Sequence, residues 1–175
     1  MKLQHLIPLL CLVVCFTAGA QTNSPASTPA PEKKPAIFDE SADGSKQIAE
    51  ALAKAAAEHK HVLLMFGANY CSWCHQLHGL FTTSTNIAPI AQRGFVVVMI
   101  DVKHSTTGKI EDWHNGPLLT KYNPDYKGIP FLVVLDANGK QLTTQDDGNT
   151  DKLEEDKGYN SDKVMAFLKK WSPRN

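Results

Sequence analysis

A short, near-continuous apolar run over residues 61–66 (HVLLMF) stops just before two cysteines in the arrangement Cys71-Ser72-Trp73-Cys74, and a helical pattern follows at once. An unalternating run of that length suits a central strand covered on both faces. The chain must therefore pass from buried strand to helix through the cysteines. With Cys71 as the helix cap and Cys74 one turn in, the two side chains share a face. Their Cα separation is then one that a disulfide spans without distortion. The backbone N–H groups of a helix start also favour a thiolate at Cys71. A thiol that ionises easily, beside a partner able to displace it, is the minimal machinery for dithiol–disulfide exchange.

The N-terminal residues set the context for that chemistry. Lys2, an apolar stretch over 6–16 and the small residues Ala18-Gly19-Ala20 read as a cleaved secretory signal over 1–20. The stretch is shorter than a membrane span needs, and Pro8 interrupts it. Cleavage after Ala20 would remove Cys11 and Cys15 and leave Cys71 and Cys74 as the cysteines of an exported, periplasmic chain. A single pair closing so short a loop constrains the unfolded chain little, so a working dithiol is expected rather than a staple. Residues 21–36 (QTNSPASTPAPEKKPA) lack aromatic side chains and read as a disordered linker. The folded domain is expected over 37–175.

Within that domain, Ile48, Leu52, Ala55 and Ala56 mark a helix over 45–60, capped by Asp43 or Ser45. The helix after Cys71 turns Leu77, Leu80 and Phe81 inward, and a short helical piece follows over 87–93. The β-branched run 95–102 predicts a second buried strand. Residues 103–116 read as a polar surface loop, with Trp113 as a lid or an anchor, and 117–122 as a short helix. A strand over 131–135, the turn Asp136-Ala137-Asn138-Gly139 and an edge strand over 140–144 form a hairpin. Residues 145–159 read as a loop. Ser161 is expected to cap a last helix carrying Val164, Phe167, Leu168 and Trp171 inward. Alternating strands and helices closed by a hairpin and helix predict an α/β fold around a mixed sheet.

From about residue 45 to residue 171 the chain resembles the thioredoxin-like superfamily. The strand–Cys71-x-x-Cys74–helix unit, the Gly128-Ile129-Pro130 turn and the closing hairpin and helix carry the likeness, in that order. The resemblance implies a thioredoxin-like fold, a mixed β-sheet flanked by helices, and a thiol–disulfide oxidoreductase that needs no cofactor. It makes Cys71 the attacking thiol, Cys74 the resolving thiol and Pro130 a cis-proline facing the pair. Ile129 would then offer its backbone to an extended substrate segment, and Trp73 an apolar platform beside Cys71. The implied partners are protein disulfides or dithiols, with a membrane electron carrier restoring the dithiol. The sequence departs from thioredoxins proper at three points. Met65 and Met99 stand where those proteins bury a carboxylate and a lysine, and Gly67 stands where they usually have Trp. Cys74 thus lacks the usual proton acceptor.

Rival readings of the same residues are open. Cys71-x-x-Cys74-His75 also spells a c-type haem attachment motif. Cys71, Cys74, His75 and His78 fall at helical spacing and suggest a soft metal site, though structural zinc usually draws ligands from two segments. A thioredoxin-fold binding module without catalysis is the third. His59, His61, His104 and His114 read as solvated surface. The formal net charge is zero, with no basic cluster, so neither nucleic acid nor an anionic membrane surface is an expected partner. No stable membrane insertion is expected, and a monomer is.

Overall fold

The computed structural model describes residues 35–125, 128–145 and 153–174. The signal reading over 1–20 and nearly all of the 21–36 linker reading lie outside the described residues. Helix α1 (Gly44–Glu58) leads into β1 (His61–Gly67). Helices α2 (Ser72–Thr83) and α3 (Ala88–Gly94) then cross to β2 (Phe95–Asp101). A 3-10 turn (Ile110–Asp112) and α4 (Gly116–Tyr122) precede the hairpin β3 (Phe131–Leu135) and β4 (Gln141–Thr144). A two-residue-per-strand ribbon, β5 (Glu154–Glu155) and β6 (Gly158–Tyr159), introduces α5 (Ser161–Trp171).

The main sheet runs β2-β1-β3-β4, with β1 parallel to β2 and antiparallel to β3, and β3 antiparallel to β4. Its side-chain alternation divides the core in two. Val62, Leu64 and Phe66 pack with Ile48, Ala51 and Ala55 of α1 and Leu119 of α4. Leu63 and Met65 pack with Cys74, Leu77 and Phe81 of α2, Ala91 of α3 and Val164, Phe167 and Leu168 of α5. The α/β sandwich expected around a mixed sheet is what forms, and the unbroken apolar run 61–66 is its central strand because both faces are covered.

Several local expectations are corrected. Strand β2 lies at a sheet edge and is only half-buried at Val96, Val97 and Met99, because one neighbouring strand covers it. Of the two candidate caps on α1, the Asp43 carboxylate takes the place, accepting from the N–H groups of Ser45 and Lys46. Asn160 caps α5 instead of Ser161, its amide oxygen accepting from Lys163 N, so Ser161 becomes the first helical residue. Trp171 is half-buried at the end of that helix rather than fully in the core.

The polar stretch 103–116 is better anchored than a solvated loop. Trp113 is buried and stacks on His104 with ring centroids 3.8 Å apart. His114 Nε2 lies 2.8 Å from the carbonyl of Ala42, and His61 Nδ1 lies 2.8 Å from that of Trp171. Both histidines therefore tie segments together, while His59 is exposed in a left-handed conformation that ends α1. Within 145–159 the described residues also carry structure. Leu153 is buried, and the β5–β6 ribbon packs its Tyr159 ring against Trp73.

Candidate active site

The site assembles where β1 ends. Cys71 has extended backbone and caps α2, its sulfur accepting from the Cys74 N–H at 3.2 Å. Cys71 and Cys74 are joined as a disulfide with a Cα separation of 5.2 Å. The cap supplies the amide that would stabilise charge on Cys71 once the pair is reduced. The two sulfurs are not equivalent. Cys71 keeps 9% of its surface open and Cys74 none.

Opposite the pair, the Ile129–Pro130 peptide bond is cis, and the Ile129 carbonyl oxygen lies 3.7 Å from Cys71 Sγ. The turn is therefore brought to the sulfurs as its place before β3 requires. A residue that pattern reading does not single out fixes it from the far side. Gln145 Oε1 accepts from Leu132 N at 3.0 Å, and its Nε2 donates to the Pro130 carbonyl at 3.3 Å. The same amide reaches Glu154 Oε1 at 3.5 Å, linking the turn to the β5–β6 ribbon. Nothing in composition or spacing marks a glutamine at the start of a polar stretch as a brace.

Two aromatic groups flank Cys71. Half-buried Trp73 meets Tyr159 edge to face at 5.5 Å. On the other side Tyr70, 62% exposed, meets His104, which in turn stacks on Trp113. Burial pushes the Tyr159 phenol well up, and the charge of Glu154 adds to the effect.

Gly67 acquires a reason in the structure. A Cβ there would run into the Phe38 ring and lie 2.8 Å from Cys74 Sγ. The ring of Phe38 thus occupies space that a side chain at position 67 would otherwise take. Phe38 is held over the site by Asn69, whose Oδ1 accepts from the N–H groups of Ile37 and Phe38 and whose Nδ2 donates to the Phe38 carbonyl. Met65 and Met99 are in register on neighbouring strands, Met65 fully buried and Met99 half-buried.

The rival readings meet this geometry poorly. A haem linkage needs both sulfurs open to the porphyrin, whereas Cys74 is sealed and His75 Nε2 faces the Asn69 carbonyl at 2.9 Å. Half-buried His78 sits a turn further on, its pKa pushed down by burial and by nearby His75. Among the described residues no three His, Cys, Asp or Glu side chains converge as metal ligands. No described helix is long and apolar enough to cross a membrane.

Comparison with known proteins places the chain. Residues 44–137 match the thioredoxin-like family model. A disulphide isomerase from Xylella fastidiosa Temecula1 superposes with a TM-score of 0.61 at 30% identity, covering 77% of this chain and 95% of that one. The C-terminal domain of DsbD from Neisseria meningitidis, in its oxidised form, gives a TM-score of 0.49 at 21% identity, with 74% and 97% covered. No curated protein sequence matches the chain. The fold, the paired cysteines, the family match and the likeness to the disulphide isomerase agree: the chain belongs to the thioredoxin-like family and is a thiol–disulfide oxidoreductase.

Proposed function

We propose that this oxidoreductase is exported to the periplasm and reduces or exchanges disulfides in protein substrates, with Cys71 attacking and Cys74 resolving. The inequality of the two sulfurs is the observation that carries this assignment: Cys71 is capped, partly open and 3.7 Å from the Ile129 carbonyl, while Cys74 is sealed. In the reducing direction the Cys71 thiolate attacks one sulfur of a substrate disulfide. A Cys71–substrate bond forms, and the other substrate sulfur leaves as a thiolate that takes up a proton. Cys74 then loses its proton and attacks Cys71, closing the Cys71–Cys74 bond and releasing the second substrate sulfur. Two electrons have passed from the protein to the substrate, and a dithiol donor, here assigned to a membrane electron carrier, must return them.

The backbone of Ile129, beside Pro130, serves as a short edge on which an extended substrate segment can lie as an added strand. Trp73 forms an apolar wall beside that edge, held by Tyr159. The intervening Ser72 and Trp73 provide no histidine to hold Cys71 as a thiolate, which favours the reducing over the oxidising direction. Export rests on the signal reading of residues 1–20, and the domain limits proposed are 1–20, 21–36 and 37–175. The 30% identical disulphide isomerase supports protein disulfides as the substrate class. A monomer is sufficient for every step.

The substrate-binding assignment is testable apart from the chemistry. Tyr159→Ala removes the edge-to-face support of Trp73, a contact worth about 1 kcal/mol. The expected outcome is a loss of kcat/KM of roughly threefold to tenfold on disulfide-bonded protein substrates, about what 1 kcal/mol converts to. Turnover of glutathione disulfide should be unchanged. Equal losses on both substrates would remove Trp73 and Tyr159 from substrate binding. The catalytic assignment is tested by trapping. Cys74→Ala incubated with a disulfide-bonded protein should accumulate a covalent adduct at Cys71, located by peptide mass mapping.

A further inference from the structure

Resolution by Cys74 leaves the proton of that thiol without a destination. A thiol must ionise before it attacks a disulfide, yet Cys74 is fully buried, and Met65 and Met99 on the facing strands cannot accept a proton. The sheet face turned toward α2 carries Leu63, Met65 and Gly67 from β1 and Val97, Met99 and Asp101 from β2, by strand alternation and register. Asp101 is therefore a carboxylate on the same face as the resolving cysteine, and it is only 1% exposed.

Its position is fixed by its pairing. Asp101 is in register with Gly67, and the place where Gly67 lacks a Cβ lies 2.8 Å from Cys74 Sγ. Paired positions on adjacent strands are about 5 Å apart. Asp101 thus stands beside the strand position that adjoins that sulfur. Phe38, 4% exposed and lying over Gly67, closes the region to solvent. One carboxylate oxygen, Oδ2, accepts from Lys103 N at 3.0 Å. The other, Oδ1, is buried and has no hydrogen-bond donor among the described residues. A buried acceptor left unpaired costs about 1–3 kcal/mol, so this oxygen is held at a cost that a strand-end turn does not require. Burial raises the carboxyl pKa; the Lys103 N–H opposes the shift and the charge of Glu40 adds to it. The other charged groups facing Asp101 are Lys103, paired with Glu40 at 2.7 Å, and His114.

We propose that Asp101 is the proton acceptor for Cys74 in the resolving step. The inference rests on the assignment of Cys74 as the resolving thiol. As Cys74 attacks Cys71 in the mixed disulfide, its proton moves to the Asp101 carboxylate, the Cys71–substrate bond breaks, and the substrate sulfur leaves with the electron pair. Asp101 then returns the proton to the departing thiolate or to water. Asp101 replaces, from the neighbouring strand, a base that position 65 does not supply.

The test is Asp101→Asn, which keeps an acceptor for Lys103 N. In rapid-quench single turnovers with a disulfide-bonded protein, formation of the mixed disulfide should proceed at the wild-type rate. Its resolution should slow about a hundredfold at neutral pH, the low end of what a positioned base supplies. The slowed step should also rise about tenfold per pH unit, as hydroxide takes over from the lost base. Wild-type resolution with an unchanged pH profile in the variant would overturn the proposal. A second measurement on the unaltered protein decides the matter if the variant does not fold. The Asp101 carboxyl carbon, followed by NMR, should titrate at a different pH in the dithiol and the disulfide forms, because a Cys74 thiol can donate to the carboxylate and a disulfide sulfur cannot. Titration at the same pH in both forms would overturn it. Failure of the underlying assignment looks different: Cys74→Ala would then accumulate no covalent adduct at Cys71.

Discussion

Replacing Cys71 with serine is expected to abolish disulfide reduction, lowering turnover of insulin by roughly a thousandfold or more, as loss of a covalent nucleophile does. The hydroxyl keeps the cap, since an oxygen accepts from Cys74 N–H as readily as sulfur does. The fold should therefore survive, and the lost disulfide closes too short a loop to matter much for stability. Cys74→Ser separates the two roles, because the first step still runs and the mixed disulfide accumulates. A binding module without catalysis would behave otherwise. It would reduce no insulin even as wild type, and the Cys71→Ser variant would hold a protein ligand as well as the wild type does.

Gly67→Ala is expected to cost about 1–3 kcal/mol, the range for a methyl forced into a filled interior. The new Cβ meets the ring of Phe38 and the sulfur of Cys74 at 2.8 Å. Neither neighbour can yield easily, because Asn69 pins the backbone of Phe38 at both its N–H and its carbonyl, and Cys74 belongs to α2. Calorimetry of the oxidised protein should read a loss of roughly 3–10 °C in Tm. The same substitution displaces either the ring or the sulfur, so single-turnover resolution by Cys74 should slow with it. An unchanged Tm would mean that Phe38 does not fill the gap.

The parts of the molecule legible in the sequence are those in which a local pattern and the tertiary outcome coincide. The run 61–66 reads as a doubly covered strand because helices do cover both its faces. Cys71 and Cys74 announce their site because strand, cap and helix are consecutive in the chain. The turn at Ile129 and Pro130 reaches the cysteines only through the sheet, so family resemblance points to it where spacing does not. What stays hidden depends on partners distant in sequence. Phe38 looks like the ragged start of a domain until Asn69, thirty-one residues away, anchors it over Gly67. Asp101 looks like a strand-end carboxylate until register sets it opposite the same glycine. Gln145 and Tyr159 sit in a polar stretch whose composition favours a loop, and their roles come from contacts with Pro130 and Trp73. Asn160 and Ser161 are both good caps, so local propensity alone cannot choose between them.

Reversible exchange of electrons between the Cys71–Cys74 pair and substrate disulfides underlies every step described. The most direct measurement of it is the reduction potential of this pair, titrated against glutathione and followed by thiol alkylation and mass. The expected result is one reversible two-electron transition lying within the range of working redox proteins, roughly −120 to −270 mV. A pair that stays oxidised below about −300 mV, as structural disulfides do, or that does not equilibrate with glutathione at all, would contradict it.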